Sequence, residues 1–401
     1  MNFEYRCVEC GRNYEAGEKI MYLCPVCSLM QKPMESLRGV LRVILPYADL
    51  SLSLDRYSFH PHSLLPIEAE YLPPFPVGNT PLIAPHRIRE QLESPNLYIK
   101  DESRNPGASI KDRASFLIAA LAKKMNENKV VVASSGNEAT AMACLSAATG
   151  LECTIFFPEN TPKNRVVQSL IYGAKVIRVK GNYHDTYELS MRYSETHGGI
   201  NRNTAFNPFT IEGKKTAAYE IYNQLDHSAP DYIFIPTGDG VVLSGIYKGF
   251  YDLFQFDWIS EMPRLVVVQA EGNDALVSGI KCNRIEPVEN AETIADSIHV
   301  SAPMNGYMAL KDIDRTEGFG EVVSDREIIE AQKYLAQNAG IFAEPAAAVA
   351  FAGFLKAREN IEQDATIVIL STGSGLNDIA AASKNVILPN PIETQVDVNV
   401  I

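Results

Sequence analysis

From Asn96 onward the chain alternates short β-branched or aromatic runs with amphipathic stretches of helix length, and this alternation restricts its fold more than any other feature. The strand candidates are Leu97–Lys100, Val130–Ala133, Thr154–Phe157, Val176–Val179, Tyr232–Pro236, Leu265–Gln269 and Thr366–Leu370. Between them lie helix candidates at Lys111–Asn126, Glu138–Thr149, Pro162–Tyr172, Thr216–Leu225, Val242–Leu253 and Asp325–Gln337, several closed by stop glycines such as Gly150 and Gly173. Strand and helix in near-regular alternation predict an α/β protein, with parallel sheets wrapped by helices. Ligands of such sheets bind at the carboxyl ends of the strands, so the loops that follow strands are where chemistry is expected.

Ahead of this region, residues from about 31 to 95 read as a Pro-rich connector leading into the core, with one helix expected near Lys32 to Val43. His60 and His62 in this stretch are expected to be solvated loop. Residues 1–30 hold Cys7-x-x-Cys10 and Cys24-x-x-Cys27, flanked or split by turn residues (Gly11, Pro25). Two such knuckles point four thiolates at one tetrahedral Zn²⁺, a zinc ribbon with no open coordination position and therefore structural. The other three cysteines, Cys144, Cys153 and Cys282, read as core residues.

Charge and hydropathy exclude several classes. Lys+Arg 36 against Asp+Glu 49 gives a net charge of −13 over 401 residues, so no broad basic face for nucleic acid or anionic membrane is expected. Any anionic ligand must be held by a local cluster or by backbone dipoles. No apolar run approaches the ~18–20 residues of a membrane helix. Met1-Asn2-Phe3-Glu4 does not open a secretory signal, so a reducing cytoplasm is expected.

Four loops carry residues suited to chemistry. Asp101 to Arg113 follows a strand and opens a helix with Lys111 in its first turn, where the positive helix end disfavours an ammonium and favours a nucleophilic amine. Ala133-Ser134-Ser135-Gly136-Asn137-Glu138 offers N–H groups and hydroxyls at a helix start, a pocket for a carboxylate or a plain serine cap. Ile235 to Gly245 contains Gly238-Asp239-Gly240-Val241-Val242, suited to a monophosphate. Leu243 stands where a dinucleotide fingerprint needs its third glycine, and no Gly-Lys-Ser/Thr is present. Asp239 beside a phosphate is repulsive unless its carboxylate caps the helix. Ser371-Thr372-Gly373-Ser374-Gly375 follows the last strong strand, where a hydroxyl could meet a heteroaromatic nitrogen or simply form a turn.

Taken together with Val77-Gly78-Asn79-Thr80-Pro81-Leu82, Asn207-Pro208-Phe209-Thr210-Ile211-Glu212-Gly213-Lys214-Lys215-Thr216 and Glu344-Pro345, these loops resemble, in order and over about 300 residues, the pyridoxal-phosphate enzymes of the tryptophan synthase β-subunit fold type (fold type II). Within it the chain resembles the threonine synthases that begin with a zinc ribbon. The resemblance implies a two-lobed core over 96–390, with a small mobile subdomain around 115–215, and a homodimer. It implies a lyase acting on O-phospho-L-homoserine through a Lys111 Schiff base, with no nucleic-acid or membrane partner. Asn137 would meet the cofactor ring oxygen, Gly238, Asp239, Gly240, Val241 and Val242 its phosphate, and Thr372 the pyridine nitrogen. Ser134, Ser135 and Gly136 would hold the substrate carboxylate.

The sequence departs from the family at the second phosphate. Where members carry an arginine and an Asn-Ser pair, this chain has Thr210 and Thr204-Ala205, and Val242 replaces another asparagine. Thr210 is the expected substrate ligand at its position, with Arg104, Arg113, Arg202, Lys214 and Lys215 as possible substitutes for the missing cation. An ammonia-lyase acting on threonine, serine or a related amino acid needs no second phosphate site and is the main alternative. A β-replacement synthase and a non-catalytic binding protein follow.

Overall fold

The computed structural model describes residues 2–32, 35–181, 183–282, 284–288, 292–384, 386 and 389. Residue 390, where the core is expected to end, lies outside them. Three sheets organise the chain. The first is antiparallel: β1 (Glu4–Cys7) pairs with β2 (Asn13–Glu15) on one side and β3 (Leu41–Ile44) on the other. β3 overlaps the end of the stretch from Lys32 to Val43 expected to be a helix, and no helix forms among the described residues there. Leu41, Val43 and Ile44 are two-thirds β-branched, and the free edge of β1 gives their backbone groups partners, so the segment extends instead.

The largest sheet has the order β12-β11-β10-β13-β5-β4. It comprises β4 (Leu82–Ile83), β5 (Leu97–Asp101), β10 (Tyr232–Pro236), β11 (Arg264–Ala270), β12 (Phe319–Val323) and β13 (Ile367–Ser371), all parallel except the β4–β5 pair. The third sheet, β8-β7-β6-β9, is wholly parallel: β6 (Lys129–Ala133), β7 (Glu152–Pro158), β8 (Lys175–Val179) and β9 (Ile200–Asn201). Helices cover these strands on both faces, which is why they read as continuous apolar runs: every residue from Val266 to Val268 and from Val368 to Leu370 is buried.

From Asn96 onward the expected strands and helices are present, with ends moved by a residue or two. Helix Asn137–Thr149 closes at Gly150 in the left-handed conformation, as its sequence predicts. Helices Tyr183–His197, Phe209–Lys214, Ala275–Cys282, Gly306–Arg315 and Pro345–Ala357 add to that reading. The last is instructive: Pro345-Ala-Ala-Ala-Val-Ala-Phe-Ala-Gly-Phe is buried nearly all round, so it has no polar face and shows no stripe.

Candidate active site

Four loops converge because each follows a strand and opens a helix at the same end of its sheet. Lys111 is the first residue of helix Lys111–Lys124, after β5. Its loop is stitched to the loop after β13: Ile110 N–H donates to Thr372 O at 2.9 Å, and Ser374 N–H donates to Ala108 O at 3.0 Å. Ala108 adopts φ 60°, a strained conformation for a residue with a Cβ that this double attachment enforces.

The Lys111 amine faces the loop after β6. Nζ lies 3.4 Å from Glu138 Oε1, and Arg202 Nη1 lies 3.0 Å from Glu138 Oε2. Glu138 is buried, but the charges of Arg202, Lys111 and Lys214 outweigh that burial and hold its carboxyl down at about 2, so it is ionised. Sequence reasoning quoted Glu138 without giving it a role, since an acidic residue in the first turn of a helix is ordinary.

In the Ser134–Asn137 loop, Gly136 N–H donates to Ser134 Oγ at 3.1 Å, and Arg165 Nη1 donates to Ser135 O at 3.1 Å. Arg165 also pairs with Asp296, and lies 3.7 Å from Asp378. Asn137 is fixed from both ends of its amide: Nδ2 donates to Glu344 Oε1 at 2.8 Å, while Asn377 Nδ2 donates to Asn137 Oδ1 at 3.2 Å. Burial pushes the Glu344 carboxyl up to about 6, although the Asn137 bond opposes the shift. Neither Glu344 nor Asn377 was assigned a contact from sequence, because both act through a side chain 200 or more residues away.

The Gly238 loop joins β10 to helix Val241–Gln255. A Cβ on Gly238 would meet Ile298 Cα and O at 2.9 Å, so only glycine lets the backbone sit this close to the neighbouring segment. Asp239 is not the helix cap that the sequence suggests: Gly240, left-handed, holds that position without a side-chain bond, and the Asp239 carboxylate instead accepts from Val241 N–H at 3.0 Å in a two-residue turn just ahead of the helix. Val242 is buried and apolar, and offers the loop only its backbone. Thr372, buried beside the Lys111 loop, follows Ser371, whose buried Oγ has no hydrogen-bond partner among the described residues.

Thr210 brings no charge to this site, and its hydroxyl is taken up within its own helix turn. It is fully buried in helix Phe209–Lys214, and its Oγ1 donates to Asn207 O at 2.9 Å. Three of the five substitute cations are also committed elsewhere. Arg104 is 63% exposed and pairs with Asp101. Arg113 lies in a buried network with Glu102 and Glu220, where Glu220 also accepts from Lys100 and from the N–H groups of Asn79 and Thr80. Lys215 pairs with Glu212 at 2.6 Å and Asp252 at 2.9 Å.

At the other end of the chain, the Sγ atoms of Cys7, Cys10, Cys24 and Cys27 all lie within 4.8 Å of one another, the Cys7–Cys27 and Cys10–Cys24 pairs at 3.7 and 3.9 Å. Four sulfurs each ~2.3 Å from a central zinc would stand roughly 3.8 Å apart, so the donor set fits that ion. Cys144 and Cys153 are buried as expected, but Cys282 is exposed, because it ends its helix at the surface.

The main site fits pyridoxal phosphate by the same kind of test. It offers an amine at a helix head, a glycine-backed loop at the start of a 15-residue helix, and a buried hydroxyl, Ser371 Oγ, that has no hydrogen-bond partner among the described residues. The family model described as pyridoxal-phosphate dependent enzyme matches residues 74–373. The threonine synthase of Methanocaldococcus jannaschii is 34% identical, covering 99% of this chain and 98% of that protein. That of Methanosarcina acetivorans is 34% identical over 94% and 92%. Among solved structures, a fungal L-serine ammonia-lyase from Rhizomucor miehei aligns with TM-score 0.68 at 21% identity, covering 77% of this chain and 97% of that one. Maize serine racemase aligns with TM-score 0.67 at 23% identity, covering 77% and 91%. At these identities the solved structures speak for the fold alone.

Proposed function

The chain belongs to the pyridoxal-phosphate dependent enzyme family, and from that premise we propose that it converts O-phospho-L-homoserine and water to L-threonine and phosphate. The observation that carries this reading is a likeness to threonine synthase that runs the length of both chains, with Lys111 set against Glu138 at the head of its helix.

Lys111 would hold the cofactor, Gly238 to Val242 would surround its phosphate, and Asn137 and Thr372 would meet its ring oxygen and nitrogen. When bound, pyridoxal phosphate supplies an aldehyde for the substrate amine and a ring that stabilises negative charge on the adjoining carbon. Lys111 Nζ would take and return protons along the substrate carbons, because it faces the Glu138 carboxylate from a loop tied to that of Thr372. Ionised Glu138, 3.4 Å from that amine, holds it in place at the head of its helix. Ser134, Ser135 and Gly136 would orient the substrate carboxylate, and Arg165 fixes the loop they form. Glu344 and Asn377 leave Asn137 one orientation. Thr372 brings a neutral hydroxyl to the ring nitrogen, which tempers charge withdrawal and favours elimination at the β or γ carbon over transamination. The unit around the four-stranded sheet would close over the amino acid and keep water out until the step that needs it.

The four cysteines would hold a structural zinc ion. A reducing cytoplasm and a homodimer complete the proposal. Among the described residues, no helix is long and apolar enough to cross a membrane.

A second reading, an ammonia-lyase acting on threonine or serine, is favoured by one observation: Thr210 and Ala205 bring no cation to the site. Purified protein given O-phosphohomoserine, threonine and serine separately, with phosphate, ammonia and keto acid measured, decides between the two. Phosphate with threonine is expected; ammonia with keto acid, and no phosphate, would replace the first reading by the second.

A further inference from the structure

A reaction that expels phosphate needs cations where the leaving group sits, and the family's arginine is absent. Removing the committed candidates leaves Arg202 and Lys214. Lys214 is fully buried, and among the described residues its Nζ has no hydrogen-bond partner. It stands four positions after Thr210 in helix Phe209–Lys214, on the same face, and helical side chains lean back over the preceding turn. Its amine therefore covers the place that position 210 would serve. Its stem is admitted by Gly245 of the neighbouring helix, where a Cβ would come 2.8 Å from Lys214 Cβ. Arg202 is also fully buried; it pairs with Glu138 and donates to the Lys111 carbonyl at 3.5 Å, behind the reacting amine.

Resting on the threonine synthase reading, we propose that Lys214, backed by Arg202, binds the leaving phosphate of the substrate and replaces the arginine missing at Thr210. Three cations, Lys111, Arg202 and Lys214, face Glu138, with Asp239 the other carboxylate felt by Lys214. A phosphate ester carrying between one and two negative charges at neutral pH supplies what this excess lacks. Burial and the charges of Lys111 and Arg202 depress the Lys214 ammonium to about 7, a shift that an anion beside it would oppose. The cofactor phosphate would be served differently, by the glycine loop and backbone N–H groups ahead of helix Val241–Gln255, so the two anions would not compete for one set of donors.

The test uses Lys214→Met, which keeps the buried stem and removes the charge, with Lys214→Arg as the conservative partner. Inorganic phosphate is titrated against the holoenzyme, following the absorbance of the bound cofactor, and KM for O-phosphohomoserine is measured alongside. Lys214→Met is expected to weaken both about 10- to 100-fold, the range for one charged hydrogen bond, with Lys214→Arg recovering part. Cofactor affinity, titrated into the apoprotein, is expected to stay unchanged. Unaltered phosphate binding in Lys214→Met overturns the proposal, as does an equal loss of cofactor affinity, which would assign the amine to the cofactor. A wild-type holoenzyme that binds phosphate through Lys214 but leaves O-phosphohomoserine intact supports the anion site and overturns the threonine synthase reading.

Discussion

His62 is a residue whose environment the sequence hides. Two histidines around a proline in a polar segment read as solvated loop, yet the His62 ring packs on Phe116 with centroids 4.8 Å apart, and the Arg113 network lies beyond it. Burial first, then the His60 and Arg113 charges, push its imidazole down to about 4. An unfolded chain protonates this ring near pH 6.5, whereas the folded one keeps it neutral to about 4. The resulting stability is complete above 6.5 and is lost as pH falls toward 4. Between pH 7.5 and 5 the wild type is expected to lose about 2 kcal/mol more than His62→Gln, measured by urea unfolding; equal losses would show that the ring is solvated. The motif residues behave likewise. Arg113 and Lys215 sit in the segments most suggestive of catalysis, but only contacts with Glu220 and Asp252, dozens of residues away, reveal them as scaffold.

Elements were legible where they have two environments. Most amphipathic helices and seven of the strands in the two larger sheets follow from periodicity, whereas the short or edge strands β4, β9 and β12 did not, and the Ala-rich helix Pro345–Ala357 escaped notice because burial on all sides leaves no pattern to read. The site loops were legible because each lies at a strand end, but Glu138–Lys111, Asn137–Glu344 and Arg165–Asp296 are pairings across elements that one sequence cannot show. The ribbon illustrates the same point. Its Tyr22 stacks on Phe206 at 4.5 Å and accepts from Asn201 N–H at 3.1 Å, while Phe3 and Tyr5 pack edge-on against Phe209. Those partners bracket the segment leading to Lys214, in which Ala205 holds φ 60°. Cys24→Ser, or a chelator acting on the metal proposed for these cysteines, is therefore expected to lower kcat/KM roughly tenfold or more with the cofactor still bound. Full activity in a metal-free protein would confine the ribbon to stabilising the N-terminus.

At the scale of the whole molecule, two parallel sheets bring their strand ends together. One contributes Lys111, the Gly238 loop and Thr372; the other contributes Ser134 to Glu138 and Arg202. The net charge of −13 sharpens what this arrangement must do, since an acidic protein retains two phosphates only by concentrating its cations. Lys111, Arg202 and Lys214 are that concentration, and the account stands on their being directed at a substrate that leaves its phosphate behind. Turnover of O-phosphohomoserine in ¹⁸O-labelled water tests this most directly. Loss of phosphate from the γ carbon followed by addition of water at the β carbon places the label in the threonine hydroxyl and none in the phosphate. Label in the phosphate, from attack of water at phosphorus, or phosphate release without threonine, would contradict it.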